Sequence, residues 1–192
     1  QGVMAAAASG DLPTMTQLTA SSFSGFKSEG LLAPLDEFLT ADNGFTEELK
    51  KDIYPGFLKG VTVEDKIYAL PFSKSVRLMF VNQDMLKQAG KEVPKTWAEV
   101  KELAAALKEK GVDKPALGLE NGLSIEVETM ARQNGATWVS DDLKTVDLTS
   151  DKAIEPIQFI KDMVKDGSAR LAGEDKYMSG PFAAGGSAIY IG

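Results

Sequence analysis

The feature that most constrains the fold is an alternation of short apolar runs with amphipathic segments that have helical spacing. Runs of strand length that alternate with helices are typical of an α/β fold with a largely parallel sheet. The predicted strands are Thr14 to Thr19, Thr62 to Glu64, Ile67 to Leu70, Val76 to Val81, Ala116 to Leu119 and Ala188 to Ile191. The predicted shorter helices are Ser22 to Ser28, Leu35 to Leu39, Glu47 to Lys59, Gln83 to Ala89 and Ile125 to Gln133.

The clearest helix signal covers Trp97 to Lys110. Thr96 is placed to cap its first turn, and Glu99 is placed to return the hydrogen bond of a capping box. The residues that recur at helical spacing and predict one buried stripe are Trp97, Val100, Leu103, Ala104 and Leu107.

Two further elements carry specific expectations. A helix is predicted over much of Asp151 to Lys165, although Pro156 weakens its first half by removing an amide donor. Its buried face is expected to consist of Ile154, Ile157, Ile160 and Val164. The run Val76 to Val81 is apolar on both faces apart from Arg77, which predicts a central strand covered on both sides.

The composition excludes several classes of function. Among 192 residues there is no Cys and no His, so thiolate sites, Ser-His-Asp hydrolases and zinc enzymes cannot be built. The formal net charge of -7 argues against a nucleic acid partner, because phosphate binding requires clustered Lys and Arg. No cofactor and no metal is predicted. The acidic residues Asp141, Asp142, Asp147, Glu126 and Glu128 lack the spacing of a calcium loop and are interpreted as solvated surface charges.

Three stretches carry a resemblance to a known family: KIYALPFSKSVRLMFVNQDMLKQAG, VPKTWAEVKELAAALKEKG and FAAGGSAIYIG. Their order resembles the middle of extracellular solute-binding proteins, the family that includes maltose-binding and glycerol-phosphate-binding proteins. The resemblance implies an α/β fold of the two-lobed periplasmic-binding-protein type, type II, here truncated to part of lobe one and most of lobe two. We therefore expect a fragment of a longer chain.

The resemblance also implies a division into domains. Residues 1–73 would form a partial first lobe, residues 74–192 most of the second lobe, and the hinge crossover would lie near 71–76. The alternative for the break at Pro71 to Ser75 is a β-bulge or a kink beside the proline. A truncated first lobe is expected to expose a sheet edge and apolar surface, which predicts self-association of this chain.

Four serines are the candidate ligand-binding residues of the first lobe and of the hinge crossover. Ser21 and Ser22 follow a predicted strand, and the resemblance places both at the cleft, while helix capping is the alternative for Ser22. Ser73 and Ser75 are two residues apart, so in an extended chain they face the same side. In the resembled family the position of Ser75 contacts ligand, whereas a solvated strand edge is the alternative for both.

The second lobe offers a smaller set of candidates. Glu120 and Asn121 end a predicted strand and could project into the cleft, although Asn-Gly is also ordinary turn chemistry. Arg77 is expected to form a buried ion pair, with an anionic ligand as the alternative. Trp97 and Trp138 are interpreted as core residues rather than as stacking platforms for a sugar.

The function that the resemblance implies is binding without chemistry. The chain would capture a small solute by hinge closure and deliver it to the permease subunits of an ABC-type importer. The expected solute is a sugar or oligosaccharide, and a glycerol-phosphate-type ligand is the alternative. The implied location is extracellular, periplasmic or on the cell surface as a lipoprotein. Two rival classes remain open, a carboxylate-based glycan-active enzyme and a purely structural or adhesive module.

Overall fold

The chain divides into two compact units. A computed structural model describes residues 2–140 and 144–192, and its units are Gln1–Ser75 and Val76–Gly192. The predicted lobe boundary, after residue 73, lies two residues before this division, and the hinge assignment stays a prediction. None of the helices in the described residues is long and apolar enough to cross a membrane.

The first unit consists of short helices and one small hairpin. The hairpin pairs Thr62 with Ile67, and its two turn residues, Glu64 and Asp65, have φ values of 50° and 61°. Positive φ at both central positions matches the right-handed twist of paired strands. The elements are α1 (Gly2–Ser9), α2 (Ala20–Ser28), a 3₁₀ turn (Ala41–Asn43), α3 (Glu47–Asp52), α4 (Pro55–Lys59), β1 (Thr62–Val63) and β2 (Lys66–Ile67).

Four predictions for the first unit were wrong, and one of them is the strand Ile67 to Leu70, of which only Ile67 lies in a strand. Thr14 to Thr19 is not a strand, and Leu35 to Leu39 forms a turn rather than a helix. Glu47 to Lys59 is split into α3 and α4, because Pro55 disfavours a helical conformation at the preceding residue. Short segments of this kind take their conformation from their surroundings, so local preference is a weak guide there.

The first unit buries few of its large apolar side chains. Among its described residues, Phe23 is the buried hydrophobic side chain. Met15, Phe38, Tyr54 and Phe72 are largely exposed. The hydrophobic contribution to the stability of this unit is therefore small.

The second unit is built around a four-stranded sheet that consists of β3 (Met79–Val81), β4 (Leu117–Leu119), β5 (Ala169–Leu171) and β6 (Ile189–Ile191). The strands lie in the order β3-β6-β4-β5. Strands β4 and β5 run parallel, as do β4 and β6, while β3 runs antiparallel to β6. The three carboxyl ends of β4, β5 and β6 therefore meet at one edge of the sheet.

The main core lies between this sheet and the helices that cover it. Its most buried side chains include Leu103 and Leu107 of one helix, Leu117 and Ile189 of the sheet, and Met163 of a second helix. The helices are α5 (Gln83–Ala89), α6 (Trp97–Glu109), α7 (Ser124–Gln133), α8 (Asp151–Lys165) and α9 (Ser179–Ala183).

Helix α6 confirms the predicted N-cap. The Thr96 hydroxyl accepts a hydrogen bond from the Glu99 amide at 3.2 Å. The Glu99 carboxylate accepts from the Lys95 amide rather than from Thr96, so the second bond of the capping box is displaced by one residue. Val100, in the predicted stripe, is buried as expected.

Helix α8 runs through Pro156 without a break. The proline has no N–H to donate to the carbonyl of Lys152, four residues earlier. The side-chain amide of Asn134 donates to that carbonyl instead, at 3.0 Å. Of the predicted buried face, only Ile160 is buried. A neighbouring stripe of the helix faces the core instead. The buried residues are Ala153, Pro156, Ile160 and Met163.

The prediction that Val76 to Val81 is a central strand was also wrong. Only Met79–Val81 is a strand, and it lies at the end of the sheet order. The two inner positions belong to β6 and β4, and all three residues of β4 are buried. Strand β5 had no prediction, because it is short and its middle residue is Arg170.

Gly118 of β4 permits a close approach of two buried side chains. A Cβ atom built at this position would lie 2.7 Å from both the Met178 Cε and the Ser187 Oγ atoms. Both neighbours are buried, and the Ser187 hydroxyl donates to the Ile189 carbonyl at 2.9 Å. The sheet and the segment around Met178 can therefore pack this closely only around a glycine.

We expect Gly118→Ala to lower the free energy of unfolding of the second unit by about 1–3 kcal/mol, because the added methyl overpacks the core. Urea unfolding followed by the fluorescence of Trp97 and Trp138 measures this unit. Gly122→Ala is the matched control, since its Cβ would meet nothing within 4 Å. Equal stability of the two variants would contradict the packing argument.

Candidate functional site

The predicted site residues fall into two groups, one in each unit. Ser21, Ser22, Ser73 and Ser75 belong to the first unit, and Glu120 and Asn121 to the second. Each group is described in its own unit.

The start of α2 brings three hydroxyl groups together. The Thr19 hydroxyl lies 3.0 Å from that of Ser21 and 2.9 Å from that of Ser22. Thr19 is the N-cap residue of the helix, so the alternative in which Ser22 caps it was wrong. Ser22 instead donates from the first turn to the Thr19 carbonyl at 3.0 Å. The result is a compact, neutral cluster of hydroxyl donors and acceptors.

Ser73 and Ser75 lie in a segment without helix or strand. Both are exposed, and neither side chain makes a hydrogen bond within the part of the chain that the structure describes. Ser73 borders a shallow cavity of about 190 Å³ whose lining combines aromatic rings with polar groups. The lining residues are Asp52, Ile53, Tyr54, Phe57, Pro71, Phe72, Ser73 and Lys74.

Glu120 follows β4 and is buried rather than projecting into solvent. One carboxylate oxygen accepts from the Tyr190 hydroxyl in a short hydrogen bond, and the other accepts from the Met178 amide at 3.1 Å. The carboxylate thus connects β4, β6 and the residue before α9. Burial, and then the bond to Glu120, raise the pKa of Tyr190 to about 12.

Asn121 holds the neighbouring strand end at two points. Its Nδ2 donates to the Gly173 carbonyl at 2.7 Å, and its Oδ1 accepts from the Gly173 amide at 2.8 Å. Gly173 follows β5 in a 3₁₀ turn (Gly173–Asp175). The side chain remains exposed, so its position is fixed while it still faces solvent.

Arg77 forms an ion pair with Glu126 in the first turn of α7. The Arg77 Nε lies 3.0 Å from the Glu126 Oε1, and the two side chains are 38% and 3% exposed. The predicted ion pair is thus present, but only its acidic partner is buried. No described donor gives either Glu126 oxygen a hydrogen bond of good geometry. The interpretation of Glu126 as a solvated surface charge was wrong.

The remaining acidic candidates have separate surroundings. Asp141 and Asp142 lie outside the described residues. Asp147 accepts from the Ser150 amide and hydroxyl just before α8, and Glu128 pairs with Arg132 at 2.9 Å. In residues 2–140 and 144–192 no group of three or more acidic side chains is placed to hold a metal ion.

Sequence reasoning missed two features of these sites. Tyr190 is the polar side chain in an otherwise apolar strand run. Because a buried tyrosine needs a hydrogen-bond partner, this position in the sequence already indicated a buried polar contact. Tyr54 and Phe72 are exposed aromatic side chains beside Ser73. From the sequence, only Trp97 and Trp138 were considered as rings that could stack on a sugar, and both were interpreted as core residues. Both tryptophans are partly buried and packed against core clusters, which confirms their interpretation as core residues.

The Glu120–Tyr190 pair predicts a specific pH dependence. Because the pKa of Tyr190 is raised from about 10 to about 12 in the folded protein, folding binds its proton more tightly. The free energy of unfolding should be unaffected by this residue below pH about 10 and should fall as the pH rises toward about 12.

Tyr190→Phe should remove this contribution to the fall in the free energy of unfolding. The measurement is urea unfolding between pH about 10 and about 12, followed by tryptophan fluorescence. Tyr177→Phe, at an exposed tyrosine of the same unit, is the control and should follow the parent chain. All other titratable groups are the same in the parent chain and in Tyr190→Phe, so the difference between the two isolates Tyr190. A Tyr190→Phe variant that declined as steeply as the parent would refute the assignment.

Comparison with known proteins gives a consistent result. The sequence model of the family described as "Bacterial extracellular solute-binding protein" matches residues 1–192. A putative binding protein of Brucella abortus is 30% identical over 148 residues, which are 74% of this chain and 34% of that protein. The sn-glycerol-3-phosphate-binding periplasmic protein UgpB of Rhizobium meliloti is 28% identical over 172 residues, or 84% and 39% of the two chains.

Solved structures share the fold. The GacH receptor of Streptomyces glaucescens, studied unliganded and with acarbose, matches with a TM-score of 0.84 and 26% identity over 100% of this chain and 48% of that chain. UgpB of Mycobacterium tuberculosis in complex with glycerophosphocholine gives 0.81 and 23%, covering 99% and 49%. The sugar-binding protein MalE of Xanthomonas citri gives 0.77 and 24%, covering 98% and 48%. These matches confirm the predicted α/β fold of the periplasmic-binding-protein type.

This chain covers only part of each of these relatives. The chain spans 34% and 39% of the two curated relatives and 48% to 49% of the three solved chains.

Proposed function

Because the chain belongs to the family of bacterial extracellular solute-binding proteins, we propose that it takes part in binding a small solute for delivery to an ABC-type membrane importer. The observation that carries this proposal is the family match over residues 1–192. We propose a periplasmic or cell-surface location and the permease subunits of the importer as partners. A lipid anchor remains part of the same proposal.

The proposed solute is a sugar or oligosaccharide. One solved relative is named as a sugar-binding protein, and the GacH receptor was studied with acarbose. The hydroxyl cluster of Thr19, Ser21 and Ser22 supports a neutral, hydroxyl-rich ligand, because hydroxyls both donate and accept hydrogen bonds. A glycerol-phosphate-type ligand is the second candidate, supported by the UgpB relatives.

Asn121 is the strongest candidate in the second unit. An amide side chain has two donor hydrogens and two acceptor lone pairs, and Gly173 uses one of each. One hydrogen and one lone pair remain for a solute hydroxyl, on a group that is already held in place. Prior positioning lowers the entropy cost of binding. Glu120 is the weaker candidate, because both of its oxygens already accept hydrogen bonds.

The arrangement of the acidic residues supports binding without chemistry. A glycan-active enzyme needs two carboxyl groups that flank the bond to be broken. Glu120 is engaged by Tyr190 and Met178, and Glu126 is buried against Arg77. We therefore place the glycan-active enzyme second. We further propose that the segment 71–76, which contains no helix or strand, serves as the hinge of the binding movement.

We expect titration calorimetry of the chain to detect heat with a mono- or oligosaccharide and not with glycerol 3-phosphate. Ser75→Ala and Asn121→Ala should each weaken the affinity by about 2- to 10-fold, the loss of one hydrogen bond. A saturating solute at about 100 times its dissociation constant should stabilise the protein by about 2.7 kcal/mol.

Ser28→Ala is the matched control, because Ser28 is an exposed serine that bonds only within its own helix. Its affinity should equal that of the parent chain. If the chain bound glycerol 3-phosphate but no sugar, a glycerol-phosphate-type ligand would replace the sugar as the proposed solute. Lack of binding by every sugar, polyol and glycerophosphodiester would reject small-solute capture by this chain.

A further inference from the structure

Glu126 in the second unit is a buried carboxylate that none of the proposed solute contacts uses. It lies in the first turn of α7 with a side chain that is 3% exposed, and its ion-pair partner is the Arg77 Nε at 3.0 Å. Both carboxylate oxygens are buried, and no described donor gives either of them a hydrogen bond of good geometry. A donor from elsewhere could reach them only if the surrounding residues moved. The ion pair with Arg77 is therefore the contact that compensates this buried charge.

An ion pair of this kind contributes little to the free energy of unfolding. The cost of taking a carboxylate out of water can exceed its attraction to a single cation, unless further hydrogen bonds satisfy its oxygens. For Glu126 no such hydrogen bonds are found within residues 2–140 and 144–192. Replacing a buried ion pair by apolar side chains of similar volume is often neutral or stabilising. What the pair provides is therefore one defined placement of Arg77 rather than stability.

The two partners lie at two junctions of the second unit. Arg77 is the second residue of this unit and directly follows segment 71–76, the proposed hinge. Glu126 is the third residue of α7, and the loop that leads into this helix carries Asn121, the proposed solute contact. The ion pair thus connects the start of the second unit to the helix that follows the Asn121 loop.

The Glu120–Tyr190 pair lies within electrostatic reach of this ion pair. Burial and then the bond to Glu120 raise the pKa of Tyr190. The charge of Arg77 lowers the pKa of the same hydroxyl, and the charge of Glu126 raises it. Glu120 and Glu126 are both buried, so Arg77 is the cation of a group that contains two buried carboxylates. These charges favour a single position for the Arg77 side chain.

We propose that Arg77 and Glu126 are positioning residues that end the hinge, because their ion pair fixes residue 77 to the first turn of α7. This inference rests on the proposed solute binding and on the proposed hinge at segment 71–76. A hinge consists of a few residues that absorb the change in φ and ψ. The ion pair confines that change to the residues before Arg77, so that the Asn121 loop moves with the rest of the second unit and keeps its shape.

Hydrogen exchange measured on the opposite partner's element tests this attachment. Arg77→Met leaves the sequence of α7 unchanged, yet it should speed exchange of the Val127 amide, which donates at 2.9 Å to the carbonyl of the residue before α7. Glu126→Leu leaves the segment around Leu78 unchanged, yet it should speed exchange of the Leu78 amide, which donates at 3.1 Å to the Gly192 carbonyl. Each increase should be at least about five-fold, because a segment that loses its attachment opens at lower free-energy cost. These are the two reporter amides.

The double variant Arg77→Met/Glu126→Leu separates positioning from stability. Its free energy of unfolding in urea should equal or exceed that of the parent chain, because apolar side chains replace a buried ion pair. Both reporter amides should nevertheless exchange faster than in the parent chain. Lys91→Met/Glu102→Leu is the matched control, since it removes an exposed ion pair of 2.9 Å in the same unit. It should leave the exchange of both reporter amides unchanged.

Reporter amides that exchange at the parent rate in the double variant would overturn the proposal. So would lower stability together with faster exchange of the Asn134 amide, at the far end of α7, because the pair would then only hold the unit together. A solute that the parent chain binds should bind the double variant about 2- to 10-fold more weakly, because less of the site is held in place beforehand. Equal affinity would contradict the proposal as well. A parent chain that binds no solute would reject the proposed function, whereas the exchange rates would still decide whether the pair attaches residue 77.

Discussion

The buried carboxylate of Glu120 is the contact on which the carboxyl edge of the sheet depends. It joins the end of β4 to Tyr190 of β6 and to the Met178 amide, three segments far apart in sequence. A buried carboxylate that lost these donors would incur a large desolvation cost. Gly118, two residues earlier, allows Met178 to approach closely enough for the contact to form. Packing and hydrogen bonding are thus satisfied by the same few residues.

The neighbouring strand end is held by an amide rather than by a charge. Asn121 binds both backbone groups of Gly173, and this fixes the spacing between the ends of β4 and β5. The amide lies at the surface, and because each of its two polar atoms makes one hydrogen bond to Gly173, it keeps part of its hydrogen-bonding capacity. The buried residue, Glu120, thus holds the edge together, and its exposed neighbour, Asn121, is the residue proposed to contact a solute.

Residues with strong local signals were predicted well. Thr96 caps α6 because a hydroxyl before an amphipathic run satisfies free amides, and Gln83–Ala89 is the helix that the pattern indicates. The failures concern properties that sequence neighbours do not determine. An apolar run such as Val76 to Val81 has the same pattern at the centre and at the edge of a sheet, and only its partners distinguish the two positions. Pro156 was expected to weaken α8 because it removes an amide donor. The side chain that compensates for this loss, Asn134, lies 22 residues away in the sequence.

The uneven distribution of the core affects how solute binding can be observed. The second unit contains the main core and both tryptophans, whereas Phe23 is the buried hydrophobic side chain described in the first unit. Segments with few buried contacts open at low free-energy cost, so a solute held by Ser21, Ser22 or Ser75 would first stabilise residues 2–75. Tryptophan fluorescence reports on the other unit and would record little of this change. Hydrogen exchange of residues 2–75 is therefore the more sensitive probe of the contacts proposed for Ser21, Ser22 and Ser75, since any protection gained there is measured in the unit that contains them.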